Sequence, residues 1–383
     1  MFADRTEWDL TPNALFRRRE ALRRKGVPVI DLTESNPTRC GFHYPEQLLA
    51  SLADPAALLY EPSPRGLLSA RRAVASIYAV KGIPLDPEQI FLTASTSEAY
   101  GFLFRLLTNP GDNVLVPRPS YPLFGYLAGL NDVEPVVYRL RCRTLWEIDF
   151  GALSEAVDEK TRAAVVVHPN NPTGSCVSAQ QRDSLIRFCK ERNLPLISDE
   201  VFAEYRYQNR PDQIATLAGD PEVLTFALGG LSKFLGLPQM KLAWIAVTGP
   251  ARVLSAALER LEVVADTYLS VNTPAQTALS RWLADAPDLQ SQILQRVLAN
   301  RRFLEQQHSD RMRLLPADGG WTAVLQFSAI SEEESWVLQL LEKKQLLVYP
   351  GYFFDFDQSG IAVVSLLPPE PVFQQGIGRL LEA

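Results

Sequence analysis

A lysine, a carboxylate and an amide, each standing just past an apolar run, could do chemistry together if the fold made them meet. Lys233 closes the turn Gly229-Gly230-Leu231-Ser232-Lys233. A lysine amine attacks a carbonyl carbon only when neutral, and burial or a neighbouring cation makes it so by lowering its pKa. Lys241 comes shortly after and could supply that charge while meeting a phosphate. Asp199 ends the run Leu194-Pro195-Leu196-Ile197-Ser198. A carboxylate at a buried strand end is costly unless paired, so it asks for a cationic partner such as a protonated ring nitrogen. Asn171 opens the turn Asn171-Pro172-Thr173-Gly174 after Val165-Val166-Val167, and its amide could donate to an anionic oxygen. Ser95-Thr96-Ser97 succeeds one apolar run and opens a helical pattern, where free N–H groups favour a phosphate. Tyr121, in Pro119-Ser120-Tyr121-Pro122, could stack on a flat ring.

Each of these residues also has an ordinary reading. Lys233 could be a surface lysine after a turn, Asp199 or Ser95 a helix cap, Asn171 part of a strand-ending turn, and Tyr121 a core aromatic. What separates the readings is whether the elements between them converge.

Short apolar runs alternate with amphipathic stretches from about residue 65 to 250. The spacing predicts strands at Ile90–Thr93, Asn113–Pro117, Ala164–His168, Pro195–Asp199, Leu224–Ala227 and Ala243–Val247. Helices are predicted over Leu67–Val80, Glu98–Leu107 and Ala179–Arg192. Buried β-rich runs separated by helices indicate an α/β fold with a mostly parallel sheet covered on both faces. Ligands of such sheets bind beyond the carboxyl ends of the strands, which is where the singled-out residues fall. A long helical region comes next, roughly Ala251 to His308. After it the pattern becomes α+β, with strands at Gly320–Phe327, Leu346–Tyr349 and Ile361–Leu366 and a helix at Glu333–Lys343. The expected division is a large domain over 46–275 and a smaller α+β domain from 1–45 with 276–383.

The bulk numbers exclude several function classes. At 383 residues the chain suits a large domain with a smaller one. Its net charge of −6 makes no electrostatic case for nucleic acid or an anionic membrane. The early basic cluster, Arg17 to Lys25, reads as the solvated face of a short helix. Cys40, Cys142, Cys176 and Cys189 show no CxxC spacing and read as reduced thiols of a cytoplasmic protein. His43, His168 and His308 lie far apart, without ligand-like spacing for a metal. No apolar run approaches the ~20 residues that span a bilayer. No G-x-G-x-x-G stands after the first strand, which disfavours a nicotinamide enzyme. A non-catalytic sensor is disfavoured too, because no spare segment offers a DNA-binding helix-turn-helix.

Taken in order, the phosphate turn, the aromatic, Asn-Pro-Thr-Gly, the strand-end aspartate and Ser-Lys resemble the fold-type I, class I/II aminotransferases of the aspartate aminotransferase superfamily. The resemblance covers nearly the whole chain, from Asp31-Leu32-Thr33-Glu34-Ser35-Asn36-Pro37 onward. It implies pyridoxal 5′-phosphate as cofactor and an amino group moved from an amino acid or related amine to a 2-oxo acid. By the resemblance Lys233 forms the Schiff base and shuttles the proton, Asp199 holds the pyridine nitrogen and Asn171 the 3′-oxygen. Tyr121 covers the ring, while Thr96, Ser97, Ser232 and Lys241 hold the phosphate. Asn36 and Arg39 lie in a loop that resembles the substrate lid. Tyr60 matches a tyrosine given to the neighbouring subunit's phosphate, which implies a homodimer.

The chain departs from that family at four places. Phe202 stands where a tyrosine hydroxyl usually meets the 3′-oxygen, which predicts a raised Schiff-base pKa because the facing anion is less well solvated. Lys241 replaces an arginine, and Gly230 a serine of the phosphate cup. Val363, in Gly360-Ile361-Ala362-Val363-Val364-Ser365, stands where an arginine usually grips the substrate carboxylate. No arginine occurs between Arg313 and Arg379, so the candidates for that grip are Arg39, Arg65 and Arg118. The same departure keeps β-elimination, decarboxylation or oxidation at the α-carbon as the alternative chemistry.

Overall fold

The computed structural model describes residues 1–383 except Asn209, His308, Ala329 and Ala383. His308, the expected end of the long helical region, thus lies outside the described residues. That region is three helices, Ala251–Asp266, Thr273–Ala284 and Ala286–Glu305.

In chain order the first strands are β1 (Ile30–Asp31), β2 (Ile90–Thr93), β3 (Asn113–Arg118), β4 (Glu134–Cys142), β5 (Trp146–Ile148), β6 (Thr161–Val167) and β7 (Leu196–Asp199). Then come β8 (Thr225–Gly230), β9 (Ala243–Thr248), β10 (Met312–Leu314), β11 (Thr322–Phe327), β12 (Leu346–Leu347), β13 (Tyr349–Pro350) and β14 (Ile361–Ser365). The large sheet runs β2-β9-β8-β7-β6-β3-β4-β5. Its centre, β4-β3-β6-β7-β8, is parallel, while β9 pairs antiparallel with both β8 and β2, and β5 with β4.

Strand periodicity sends alternate residues to opposite faces, and both faces here are apolar. Phe226 and Leu228 of β8, with Ile245 and Val247 of β9, pack under the helices Thr96–Leu107 and Ala251–Asp266. Their neighbours Ala227, Trp244 and Ala246 face the other way, toward Leu68–Val80 and Thr273–Ala284. The Ala179–Arg192 helix covers β6 and β7 through Leu185, Ile186 and Cys189. Burial on both sides makes these strands read as continuous apolar runs. No helix among the described residues is long and apolar enough to cross a membrane.

A second sheet, β10-β11-β14-β13, is antiparallel. It shares a core with Glu333–Lys344, Glu370–Leu381 and the N-terminal helix Ala14–Arg24, which buries Leu15. Leu32 joins that core, β1 pairs with β12, and the Leu32 carbonyl accepts from the Ser365 N–H at 2.6 Å. Residues 14–32 therefore pack with the C-terminal third, while Arg5 pairs with Asp132 and Trp8 meets Tyr126 of the helix Leu123–Gly129.

The two sheets meet at the Asn170–Gly174 loop. The Gly174 carbonyl accepts from the N–H groups of Asp318 and Gly319, and Thr322 donates to the Pro172 carbonyl at 2.9 Å. Gly174 has φ 68°, and a Cβ there would drive into the Gly319 carbonyl oxygen. Only glycine serves both needs.

Candidate active site

Strands β8, β7 and β6 are neighbours, so the residues after their carboxyl ends converge although the sequence scatters them. They open onto one cavity of about 560 Å³ between the two sheets. Its lining includes Thr96, Ser97, Tyr121, Asn171, Asp199, Ser232, Lys233 and Lys241.

After β8 the chain turns at Gly230 into the short helix Leu231–Phe234, which carries Lys233 into the cavity wall. Tyr205 fixes that turn, its hydroxyl donating to the Lys233 carbonyl at 2.8 Å. Lys233 Nζ lies 5.2 Å from the ring centre of Trp321 and 5.8 Å from that of Phe202. Burial lowers the Lys233 pKa, opposed by the Asp199 carboxylate. Enclosure thus does what Lys241 was a candidate to do: it moves the amine toward the neutral form that a nucleophile needs.

Asp199 ends β7, its Oδ2 accepting from the Tyr100 hydroxyl and its Oδ1 from the Val201 N–H, both at 3.2 Å. Burial raises its pKa to about 6, with those two donors pulling the other way. The carboxyl is therefore ready to take a proton or a cationic partner near neutral pH. Its ordinary role as a helix cap is present only in part, since Val201–Glu204 forms a turn and not a helix.

After β6, His168 braces the loop that holds the amides. It is fully buried, and its Nδ1 accepts from the Val177 N–H at 2.9 Å. Burial, and then Arg206, push its pKa down to about 3, so it remains a neutral strut. Asn170 Oδ1 accepts from the Thr173 hydroxyl at 2.9 Å, while Asn170 Nδ2 and Asn171 Oδ1 are buried without a protein partner. Of the two residues only Asn171 lines the cavity, and its unpartnered oxygen is an acceptor there.

Ser95 caps the Thr96–Leu107 helix, accepting from the Glu98 N–H at 3.1 Å. The first-turn N–H groups of Thr96 and Ser97 remain for an anion, helped by the dipole of a 12-residue helix. Gly230 pairs across the ladder with Ala243, and a Cβ on it would sit 2.9 Å from the Ala243 Cβ. A serine does not fit there without movement.

Other expectations fall elsewhere. Tyr60 is exposed on a separate cleft with Phe102 and Leu269. Arg39 is exposed, and Asn36 turns inward on its own loop, its Oδ1 accepting from Thr38. Neither lies on the cavity lining, where Thr33 and Ser35 represent that segment. Arg65 is tied to Glu262 and Glu88, and Arg118 to the Asp355 carbonyl and Asp357. Val363 does line the cavity, buried in mid-strand.

The sequence reading missed Tyr100 and Trp321. Tyr100 lies one helical turn beyond Thr96, so the helix spacing could have found it. Trp321 stacks edge-on against Phe202 at 5.4 Å, and nothing local to its sequence announces that contact.

A buried carboxyl seeking a cation, an asparagine amide at the cavity, a helix N-terminus and a lysine whose pKa burial lowers suit a phosphorylated pyridine aldehyde. Comparison with known proteins agrees. The family "Aminotransferase class I and II" matches residues 28–366. An alanine aminotransferase of Mycobacterium tuberculosis is 30% identical over 362 residues, covering 88% of this chain and 80% of the other. The glutamate-pyruvate aminotransferase AlaA of Haemophilus influenzae is 29% identical over 383 residues, covering 94% and 92%. In fold, an alanine aminotransferase from Pyrococcus furiosus superimposes with a TM-score of 0.90 at 23% identity, covering 100% and 99%. The chain belongs to the class I and II aminotransferases, and is a pyridoxal 5′-phosphate-dependent enzyme of fold type I.

Proposed function

We propose that Lys233 is the residue that binds the cofactor covalently and moves the proton as an amino group passes from an amino acid or related amine to a 2-oxo acid. The observation that carries this reading is the convergence of Lys233, Asp199 and Asn171 at three adjacent strand ends. Pyridoxal 5′-phosphate supplies, when bound, an aldehyde that captures amines and a ring that accepts the electron pair left by the departing proton.

The chain's own residues would do the rest. Asp199 would stay ionised against a protonated ring nitrogen, a pairing that offsets the cost of its burial. Asn171 would donate to the ring's anionic oxygen, and Tyr121 would cover a ring face. Thr96, Ser97, Ser232 and Lys241 would take the phosphate, the lysine as a point charge without an arginine's fork. Lys233 Nζ, released by the substrate amine, would take the proton from the reacting carbon as a general base.

We also infer a cytoplasmic homodimer. The free cysteines support the compartment. Leu58, Leu59 and Tyr60 form an exposed apolar run that supports an interface, across which Tyr60 would reach the partner's phosphate.

Borohydride treatment and then intact-chain mass spectrometry test the lysine. Cofactor mass should attach to wild-type protein and not to Lys233→Ala. Attachment to the variant at another lysine would sink the assignment.

A further inference from the structure

One buried hydroxyl at the cavity is not explained by packing. Tyr100 lies on the helix Thr96–Leu107, one turn after Thr96 and Ser97 and beside them on the helix surface. Its ring is enclosed by Phe104 and Phe124, with centres 5.9 and 5.5 Å away, and only 3% of the residue is exposed. A phenylalanine would fill that space as well. What the tyrosine adds is an O–H, which donates to Asp199 Oδ2 at 3.2 Å and to no other protein group among the described residues. The hydroxyl of neighbouring Tyr138 is engaged elsewhere, donating to the Val165 carbonyl at 2.8 Å.

The surroundings of the carboxylate give that bond its weight. The Val201 N–H donates to Asp199, Lys233 attracts it from the turn after β8, and Glu200 repels it from the same strand end. The Val201 N–H belongs to the backbone whatever the side chains are, and Lys233 is assigned to the cofactor's aldehyde. Tyr100 is then the side chain left to stabilise the ionised carboxylate. Burial, and then the charge of Asp199, push the Tyr100 pKa well above its ordinary value, so the hydroxyl keeps its proton and remains a donor.

We propose that Tyr100 is a positioning residue for the transfer reaction: acting through Asp199, it keeps the partner of the ring nitrogen ionised and fixed in rotamer. The inference rests on the assignment of Asp199 above. The helix Thr96–Leu107 then serves the cofactor twice, with its first N–H groups for the phosphate and with Tyr100, through Asp199, for the ring.

Tyr100→Phe keeps the ring and removes the O–H. Denaturant unfolding of the cofactor-free chain across pH reads the bond directly. A carboxyl whose folded pKa lies above its unfolded value stabilises most at low pH and loses that contribution as pH rises through the folded pKa. Removing a donor to the ionised form should raise that pKa further, by about one unit. The variant's deficit in folding equilibrium constant should therefore grow about tenfold between pH 5 and 8.5. In the Asp199→Asn background the same substitution should cost the same at every pH. A deficit flat with pH, or one that grows equally in Asp199→Asn, would overturn the inference and leave Tyr100 a packing residue.

Titration of the same proteins with pyridoxal 5′-phosphate gives the second readout. Tyr100→Phe should bind about threefold more weakly than wild type at pH 6.5 and close to tenfold at pH 5.5, because its carboxyl holds the proton more tightly. Equal affinities at pH 5.5, with Asp199→Asn weakened at pH 8, would overturn the inference and leave the role of Asp199 standing. Undiminished affinity in Asp199→Asn would overturn both.

Discussion

Replacing Asp199 by asparagine separates what the carboxylate costs the empty fold from what it gives the cofactor. The group's pKa rises from an ordinary 3.8 to about 6, chiefly through burial. The folded state therefore holds this proton more tightly than the unfolded chain, so stability is greatest below pH ~4 and falls as pH rises through about 6. A shift of ~2 units at about 1.4 kcal/mol each makes the ionised group cost the apo-protein ~3 kcal/mol at pH 8. That is a ceiling, because Asp199 lines the cavity and keeps some access to solvent. Roughly 2 kcal/mol of it should appear between pH 4.5 and 8. Asparagine keeps an oxygen for the Val201 N–H or the Tyr100 hydroxyl and removes the charge. Denaturant unfolding of cofactor-free protein should find Asp199→Asn the more stable form at pH 8, with the gap closing toward pH 4.5. Titration with pyridoxal 5′-phosphate should find it the weaker binder by tenfold or more. A variant equal to or less stable than wild type at pH 8, or with undiminished cofactor affinity, would refute the electrostatic account.

Gly230→Ser should destabilise the protein by ~1–3 kcal/mol, because its Cβ meets Ala243 across the ladder. Adding Ala243→Gly should recover most of that loss, and a double-mutant cycle by thermal unfolding checks the coupling. Phe202→Tyr should restore a hydroxyl facing the cavity. If it reaches the ring's anionic oxygen, the pH at which the bound cofactor's visible absorbance titrates should fall by about one unit, since a donor to the anion favours the ionised form. Spectra across a pH series measure it, and an unmoved or raised midpoint would remove Phe202 from the explanation.

The fold was legible where burial is uniform. Strands β6, β7, β8 and β9 are covered on both faces and read as unbroken apolar runs. β4 was not legible, because it alternates exposed residues such as Glu134 and Arg139 with half-buried ones and lies near the sheet's edge. The same logic divides the site. Lys233, Asp199 and Asn171 could be named because neighbouring parallel strands bring the residues just past their carboxyl ends to one place. Trp321 could not, because its position depends on β11 docking against the Asn170–Gly174 loop through Gly174, a contact between residues far apart in sequence. The lid residues Asn36 and Arg39 were placed by resemblance alone, and no local periodicity constrained where their side chains point.

Phe202 and Val363 both line the cavity, and the first of these departures bears on Lys233. A guanidinium near a lysine would lower its pKa by repulsion, so losing one would by itself leave the amine protonated and inert. Here the lowering has another source. Burial is the leading cause, and the one charge that acts on Lys233, Asp199, works in the opposite direction. The rings of Phe202 and Trp321 contribute apolar surface beside it, their centres 5.8 and 5.2 Å from Nζ. A hydroxyl at Phe202 would add polar surface to this enclosure. An apolar wall can therefore do two things together. It lowers the pKa of the lysine amine without a neighbouring cation, and it makes that pKa sensitive to any polar group added beside it. Substitutions that make this enclosure more polar should reduce the reactivity of Lys233 toward pyridoxal 5′-phosphate at neutral pH, and an unchanged rate of cofactor capture would refute the link.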